Sequence, residues 1–213
     1  MKICVIGLGR FGYELATGLS ENGVEVMAID SNEAIVSSIK DNVTQAICMN
    51  VTDEAVMRNV GIDEMETVVV AMAENFAQSI LITSIVKKRL GVKTVIARAI
   101  NDIHAEILVL VGADRTILPE KEIGRRLADS LSSPFPDLVR LSKNFSVTPF
   151  NAPDRFIGRT INELDLSHHY QINCLGIKKN DRIITAHPEY VIMPGDQLVC
   201  AGSTKDLEEA AQE

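Results

Sequence analysis

The sequence lacks the features that mark nucleic-acid-binding, membrane-spanning and secreted proteins. It has no long basic run, and 21 Lys and Arg residues against 29 Asp and Glu residues give a formal net charge of -8. Nucleic acid is not an expected partner, because neutralising phosphates needs clustered cations. No apolar stretch reaches the roughly 18 residues of a membrane span, and no signal peptide precedes the first apolar run. We therefore expect a cytoplasmic protein.

Cysteine is also scarce, and none of the four cysteines forms a C-x-x-C pair. All four fall inside apolar, strand-like runs, which predicts reduced core residues rather than disulfides or zinc ligands. They are Cys4, Cys48, Cys174 and Cys200.

Residues 1–133 alternate short apolar runs with amphipathic segments. The strand-like runs are 2–6, 25–29, 45–49, 67–72, 93–97 and 115–118. The helical segments lie near 10–22, 32–41, 53–60, 75–90, 102–112 and 120–131. Strands that are apolar throughout and alternate with helices are typical of a parallel sheet covered on both faces. The pattern predicts an α/β domain of the Rossmann type with a six-stranded parallel sheet.

A second, smaller domain is predicted over residues 134–213. Prolines and serines at 132–136 interrupt the alternation and mark the boundary. Strands are expected at 145–150, 171–178, 182–186 and 197–201, and helices at 160–166 and 204–211. Thr160 and Glu163 have the spacing of a capping box, which places a helix start there. This domain is expected to be a small α+β subdomain.

The strongest motif is a glycine-rich loop between the first strand and the first helix. Gly7 permits a tight turn, Gly9 lets the backbone approach a phosphate, and Gly12 lets the helix pack close to the strand. The N-terminus of the following helix offers free N–H groups and a positive dipole end to phosphate oxygens. The loop therefore predicts phosphate binding, because its strand–loop–helix context is the one that the motif requires.

Asp30 stands at the end of the second strand, where this fold places a ribose ligand. A carboxylate there accepts hydrogen bonds from both ribose hydroxyls. The alternative is a cap for the helix that begins near Asn32. Nothing in the loop or in Asp30 requires nicotinamide, so NAD, ATP and ADP all remain open.

The second domain does not favour an enzyme. A hydride-transfer enzyme needs an acid–base group and usually an anion clamp in its substrate domain. No obvious His–Asp or Tyr–Lys arrangement stands between residues 134 and 213. We expect a binding and regulatory module, with an NAD-dependent oxidoreductase as the alternative from another class.

Several runs of residues resemble one known family. They are 5–12, 28–30, 50–53, 70–73, the run Gly-Ala-Asp-Arg-Thr-Ile-Leu-Pro-Glu-Lys at 112–121, and 194–202. The run at 112–121 is the most specific, since it lies outside the generic dinucleotide motif. Over essentially its whole length the chain resembles the Ktr/Trk-type regulators of potassium transport, which are RCK proteins with N-terminal and C-terminal subdomains.

The resemblance implies a function and a set of partners. Such proteins form dimers that assemble into an octameric ring at the inner face of the membrane. The ring docks on a separate potassium-translocating subunit and gates it in response to ATP, ADP or NAD(H). In some members the C-terminal subdomain also binds cyclic di-AMP. A regulator of a cation/proton antiporter or of another channel is the alternative within the same fold.

The resemblance also assigns residues to a nucleotide site. The phosphates would be wrapped by Gly7, Gly9, Arg10, Phe11 and Gly12. The ribose would be held by Asp30, followed by Ser31, and the adenine pocket would be lined by Asn50, Val51 and Thr52. The nucleotide would be bordered by Met72, Ala73 and Glu74, with Arg98 on the far side. Ala73 and Glu74 replace a glycine-containing turn that is common in relatives. Glu120 would help to hold a divalent cation, Mg²⁺ or Ca²⁺, between nucleotides of paired subunits.

Ordinary structural roles also fit some of these residues. Val51 and Met72 suit a hydrophobic core, and Arg98 suits an ion pair with a surface carboxylate. Glu120 suits a helix N-terminus, where negative charge is favoured. Arg10 and Glu120 are also predicted to distinguish ATP from ADP, because the Arg10 guanidinium can reach a γ-phosphate that ADP lacks.

Two surfaces are expected to join copies of the chain. The first consists of apolar positions on the two helices that flank the end of the parallel sheet. These positions are Ile103, Ile107, Leu108, Leu110 and Leu127. The second is a ligand cleft between two C-terminal subdomains, lined by Ile177, Ile192 and the Tyr190-Val191 stretch.

Overall fold

The structure is a computed structural model that describes residues 1–51, 53–72, 75–135, 137–180 and 182–212. The chain divides into two compact units, Met1–Glu122 and Ile123–Glu213. The division falls inside one helix, earlier in the chain than the boundary predicted after residue 133, which stays a prediction.

The first unit is built on a six-stranded parallel sheet, which confirms the predicted α/β class. Its strands are β1 (Lys2–Ile6), β2 (Glu25–Asp30), β3 (Gln45–Cys48), β4 (Thr67–Val70), β5 (Thr94–Arg98) and β6 (Arg115–Ile117). Its helices are α1 (Arg10–Glu21), α2 (Glu33–Ile39), α3 (Glu54–Asn59), α4 (Phe76–Ser84), α5 (Asp102–Val111) and the start of α6 (Pro119–Ser132). The strands lie in the order β3-β2-β1-β4-β5-β6, and all neighbours are parallel.

The sheet is buried on both faces because successive side chains of a strand point to opposite sides. On β1, Ile3 and Val5 join a core cluster that includes Ala16 of α1. Cys4 and Ile6 join the other cluster, which packs against α4 and α5. This arrangement explains why the strands are apolar at every position rather than at alternate ones.

Short polar side chains fix where several helices begin. Asn32, Asn75 and Asn101 each accept a backbone N–H from the first turn of α2, α4 and α5, respectively. Such caps satisfy N–H groups that have no partner inside the helix. The helix predicted over 75–90 is α4 followed by one wider π-helical turn, Ile85–Arg89.

The second unit contains a five-stranded antiparallel sheet and short helices. Its strands are β7 (Val139–Ser142), β8 (Phe145–Asn151), β9 (Asn173–Lys179), β10 (Arg182–Thr185) and β11 (Gln197–Gly202). Its further helices are α7 (Ile161–Leu164), α8 (Leu166–His169) and α9 (Thr204–Gln212). The strand order β10-β9-β11-β8-β7 places the almost wholly buried β11 in the centre.

The predictions for this unit are partly confirmed. The capping box is present, with the Thr160 hydroxyl accepting from Glu163 N and the Glu163 carboxylate accepting from Thr160 N. The single helix predicted over 160–166 is wrong, because Asp165 adopts a left-handed backbone with φ of 41° between α7 and α8. The edge strand β7 was not expected at all.

The cysteine prediction needs one correction. All four thiols are free, and Cys4 and Cys200 are buried as expected. Cys48 is exposed, because β3 is an edge strand with β2 as its neighbour. Cys174 is half-buried. Among the described residues, no helix is both long enough and apolar enough to cross a membrane.

Candidate nucleotide-binding site

The candidate site lies at the carboxyl edge of the parallel sheet, where the strand order reverses. From β1 the chain continues to β2 on one side, and β4 and β5 follow on the other side. Open parallel sheets bind ligands in the crevice at this point. The glycine loop, Asp30 and Arg98 all follow or end strands at this edge.

Two glycines of the loop are required by the protein's own packing. Gly7 has φ of +93°, and a Cβ on it would lie 2.7 Å from Met72 Cγ. A Cβ on Gly12 would lie 1.9 Å from the carbonyl oxygen of Gly7. Gly12 therefore lets α1 approach the loop, as the motif predicts.

Gly9 differs from these two glycines, because neither a close contact nor its backbone conformation requires a glycine there. Its φ of -61° and ψ of -178° are open to any residue, and a Cβ there would meet no atom within 4 Å. It precedes α1, and no side chain caps the helix there. The first N–H groups of α1 consequently have no partner within the helix. This is the geometry of an anion site.

Arg10 and Phe11 open the first helix. Arg10 is exposed and makes no ion pair or hydrogen bond with any residue that the structure describes. Phe11 is half-buried against the core cluster beneath α1. Arg10 is the first residue of α1, so its guanidinium is available to an anionic ligand at the glycine loop.

Asp30 is joined to the loop by hydrogen bonds. One carboxylate oxygen accepts from Leu8 N at 2.6 Å, and the other accepts from Asn32 N at 2.8 Å. A carboxylate has about four lone-pair sites, so each oxygen keeps acceptor capacity for a hydroxyl. The cap of α2 is Asn32, whose side chain accepts from Ala34 N, so the alternative role of Asp30 as that cap is wrong.

The remaining assigned residues divide into three groups. Ser31 and Asn50 are exposed, and Oδ1 of the Asn50 side chain accepts from Gln78 Nε2 at 3.2 Å. Val51 is buried in the core cluster, and Met72 packs against it, so both serve the core as the structural alternative proposed. Thr52, Ala73 and Glu74 lie outside the described residues.

Arg98 closes one side of the edge and pairs with Glu120. Its guanidinium bonds Glu120 Oε1 at 2.5 Å and lies 5.7 Å from the centre of the Phe11 ring. The buried Nε of Arg98 has no hydrogen-bond partner among the described residues. The backbone N–H of Glu120 itself, and then Arg98, hold the pKa of Glu120 below its usual value. The ion pair that was the alternative role of Arg98 is therefore present, and its place beside a nucleotide stays a prediction.

The run at 112–121 has a structural explanation. Gly112 ends α5 with φ of +118°, a backbone conformation that favours glycine. Asp114 accepts two hydrogen bonds from Lys87 Nζ and one from Val95 N, and the Lys87 bond is the main cause that lowers the pKa of Asp114. Lys121 pairs with Asp102 at 2.6 Å. These contacts hold the start of β6 against β5 and the start of α6 against α5.

One buried polar pair escaped the sequence analysis. The Ser79 hydroxyl lies 2.9 Å from His104 Nε2, and both residues are fully buried. Ile100 N donates to His104 Nδ1 at 3.4 Å, which leaves the hydrogen on Nε2. The chain of bonds ends at Phe76 O, which accepts from Ser79. Burial lowers the pKa of His104, which favours the neutral imidazole, and its hydrogen bonds join the starts of α4 and α5.

The cleft expected in the second unit is not lined as predicted. Ile177 and Ile192 are fully buried in that unit's own core, so they cannot line a surface between copies. Tyr190 is half-buried and donates to Asp196 at 2.7 Å. Of the four residues named, Val191 is the exposed one, at 43%.

Comparisons with known proteins agree with this architecture. Residues 3–119 match the TrkA-N domain, and residues 148–213 match the TrkA-C domain. The Ktr system potassium uptake protein C of Bacillus subtilis is 37% identical over 208 residues, which cover 97% of this chain and 94% of that protein.

Two solved structures share the fold. The GsuK channel bound to NAD has a TM-score of 0.56 and 24% identity, and covers 99% of this chain and 38% of that chain. GsuK bound to ADP has a TM-score of 0.53 and 24% identity, and covers 62% of this chain and 34% of that chain. The chain therefore spans little more than a third of those channel subunits.

The fold and the loop define an RCK-type protein, with a Rossmann domain followed by a small antiparallel domain. Within that class, the chain belongs to the family of Ktr potassium uptake proteins, which are RCK regulatory subunits with TrkA-N and TrkA-C domains.

Proposed function

We propose that this protein is a cytosolic, non-enzymatic regulatory subunit that binds an adenine nucleotide and thereby controls a separate membrane subunit that transports potassium. Support for potassium transport comes from the relative in the Ktr system, which aligns over nearly its whole length. The single observation that carries nucleotide binding is the open, uncapped start of α1 at Gly9 beside the Asp30 carboxylate.

The nucleotide is a ribose-containing adenine nucleotide, either ATP or ADP, or NAD(H). The loop recognises features that these ligands share, namely phosphates and a ribose diol. The GsuK structures named for NAD and for ADP support the same range of ligands. Asn50 and Thr52 are proposed to line the adenine pocket, and Ala73 and Glu74 to border the nucleotide. Asn50 and Ser31 are exposed, as contact with a ligand requires.

Gly9→Ala tests the phosphate loop without disturbing the fold. The new methyl group meets no protein atom, and the backbone angles suit alanine. Calorimetric titration with ATP, ADP and NADH should show at least a tenfold loss of affinity, about 1.4 kcal/mol, with little change in Tm.

Gly18→Ala is the matched control. Gly18 lies inside α1 and also has open space at its Cβ position. Alanine there should raise stability by about 0.5–1 kcal/mol and leave nucleotide affinity unchanged. Equal affinities of the two variants, or a wild-type protein that binds none of the three nucleotides, would contradict the proposed site.

Arg10 and Glu120 are proposed to distinguish ATP from ADP. Arg10 has no partner among the described residues, so a γ-phosphate can recruit its permanently charged guanidinium. Arg10→Ala should remove the preference for ATP and spare ADP affinity, whereas Lys40→Ala, an equal change of charge on an exposed residue, should change neither. An equal loss for ATP and ADP would reduce Arg10 to a simple phosphate anchor.

A divalent cation at Glu120 needs further ligands. No group of three potential metal-ligating side chains occurs in the described parts of the chain, and Glu120 is paired with Arg98. Mg²⁺ commonly combines one or two carboxylates with phosphate oxygens. A Mg²⁺ or Ca²⁺ ion would thus depend on the nucleotide and a second subunit, and Glu120→Gln should weaken the cation dependence of ATP binding.

Assembly into dimers and an octameric ring is supported by exposed apolar side chains. On α5, Ile103 is 68% exposed and Leu110 is 78% exposed, whereas Leu108 is buried in its own core. On α6 a stripe at helical spacing is exposed, consisting of Ile123, Leu127 and Leu131. Large exposed apolar patches favour association.

Light scattering tests the assembly directly. Leu127→Glu should shift the oligomer to smaller species, whereas Ala128→Glu, next to it and also exposed, should shift it less. A wild-type protein that is monomeric at micromolar concentration would contradict the ring. Binding of cyclic di-AMP to the second unit stays a prediction, which titration of the full chain would check.

A further inference from the structure

Cys174 and Cys200 lie directly opposite each other in the antiparallel sheet of the second unit. The pairing depends on an irregularity in β9, because Gly176 pairs with Val199 while Cys174 pairs with Cys200. Leu175 is therefore an extra residue, and the strand has a β-bulge there. Without the bulge, the regular register would place Leu175 opposite Cys200. The bulge thus creates the cysteine pair.

The geometry of the pair suits a disulfide bond. Directly opposed residues of antiparallel strands share one face of the sheet, with Cα atoms about 4.5–5.5 Å apart. Disulfides join residues whose Cα atoms are about 4.4–6.8 Å apart. The two residues are paired across β9 and β11, and the Cys174 thiol donates to Gly176 O at 3.6 Å.

The two sulfur atoms differ in their access to solvent. Cys200 is fully buried on the central strand. Cys174 lines a surface cavity of about 270 Å³, together with polar residues that include Asn162, Asp165 and Ser167. A molecule of liquid water occupies about 30 Å³, so a small polar oxidant fits this cavity easily. Such an oxidant would meet Cys174 first.

The pKa shifts of the two thiols also favour reaction at Cys174 before Cys200. The hydrogen bond from Cys200 holds the pKa of Cys174 below its usual value, although burial opposes the effect. The interaction with Cys174, followed by burial, raises the pKa of Cys200. The thiolate is the nucleophilic form, so Cys174 is the better nucleophile of the two.

We propose that Cys174 and Cys200 form an oxidisable dithiol, in which hydrogen peroxide enters the cavity, oxidises Cys174, and leaves a disulfide between β9 and β11. The Cys174 thiolate attacks one peroxide oxygen, the O–O bond breaks, and the departing hydroxide takes up a proton to become water. The Cys200 sulfur then attacks the sulfenic acid on Cys174. The S–S bond forms as the S–O bond breaks, and hydroxide leaves with the Cys200 proton as a second water.

The exposed Cys48 is removed before the test, because it would react independently. The full-length Cys48→Ser protein is reduced, treated with hydrogen peroxide, and alkylated under denaturing conditions. Two of its three thiols should become inaccessible to alkylation, with a mass loss of two hydrogen atoms. Peptide mapping without reductant should recover one cross-linked peptide pair that contains residues 174 and 200, and reduction should restore both thiols.

Single variants in the same background test the order of events. Cys200→Ser should accumulate a sulfenic acid at Cys174 that dimedone traps, whereas Cys174→Ser should leave Cys200 unmodified. Circular dichroism confirms that each variant is folded. The proposal is overturned if both thiols of the peroxide-treated parent stay alkylatable, if Cys174 over-oxidises without forming the disulfide, or if dimedone labels Cys200 instead.

Discussion

The two units of the chain use an acidic side chain in opposite ways. In the second unit, Asp196 is 4% exposed and accepts from Tyr190 Oη at 2.7 Å and Met193 N at 2.9 Å, with Lys179 Nζ at 3.4 Å. In the first unit, Asp30 is half-buried, accepts only from two backbone N–H groups, and has no cationic partner among the described residues. Asp196 is fully used by its own fold, whereas Asp30 keeps acceptor capacity for a ligand.

The glycines show the same contrast. In the second unit, a Cβ on Gly176 would lie 2.6 Å from Ile183 Cγ2, and one on Gly202 would lie 2.7 Å from Ile172 Cγ2. Both therefore serve tight internal packing. In the first unit Gly9 faces open space. When the fold does not require a residue type at a position, that residue is a candidate for function. Gly9 meets this criterion, whereas the glycines that serve internal packing do not.

The largest expected effect is that of Gly12→Ala. The new Cβ would overlap the backbone oxygen of Gly7, which cannot move without displacing the loop. We expect a loss of about 3 kcal/mol or more in the stability of the first unit. Hydrogen–deuterium exchange should show faster exchange in β1 and β4 and no change in β11. A variant as stable as Gly18→Ala would show that the close approach of α1 to the loop is wrong.

Asp196→Asn should come next in size and act on the second unit. The substitution removes the negative charge that balances Lys179, and it replaces one acceptor oxygen by an amide NH2 group. We expect the free energy of unfolding to fall by about 2–3 kcal/mol. Faster hydrogen exchange in β9 and β11, with unchanged nucleotide affinity, is the expected result. Weaker nucleotide binding would contradict the purely structural role of Asp196.

The pH dependence of Asp196 follows from its partners. Burial alone would raise its pKa, but the hydrogen bonds from Tyr190, Met193 N and Lys179 outweigh burial and lower it. A lowered carboxyl pKa stabilises the fold above the unfolded value of about 3.9, and this stability is lost as the pH falls through the folded pKa. Asp196→Asn should lose this part of the acid dependence.

Asp30→Asn makes the same chemical change in the first unit, with the opposite expected outcome. The asparagine side chain has one acceptor oxygen, so it can replace only one of the two hydrogen bonds that Asp30 accepts, and some folding stability is lost. The larger loss should be in nucleotide affinity, about 1.5–3 kcal/mol, because the charged acceptor for the ribose is removed. Titration calorimetry and urea unfolding on the same samples compare the two losses. A stability loss larger than the affinity loss would make Asp30 mainly a structural residue.

The smallest effect concerns His104 and pH. Its lowered pKa means that the unfolded chain binds a proton below about 6.5 when the folded protein does not. The contribution of His104 to the free energy of unfolding is therefore fully present above that pH. It decreases below that pH, by at most about 1.4 kcal/mol per pH unit. His104→Gln should flatten this part of the pH profile of unfolding, whereas the exposed His187→Gln should not. Identical profiles for the two variants would contradict the prediction.

Local signals in the sequence determined much of this protein. Continuous apolar runs predicted the six parallel strands, and glycine spacing predicted the loop before α1. The capping box placed the start of α7 correctly. Each signal acts within a few residues, since strand periodicity, turn strain and helix caps are properties of adjacent backbone groups.

Contacts between distant parts of the chain were decided only by the tertiary structure. The pairing of Arg98 with Glu120, the burial of His104 against Ser79, and the bulge that brings Cys174 opposite Cys200 leave no periodic trace in the sequence. The edge strand β7 alternates apolar and polar residues, but it has four residues only, and its exposure at every one of them depends on its place at the edge of the sheet. Register and side-chain partnership depend on which strands and helices meet, and that is fixed only when the whole core packs.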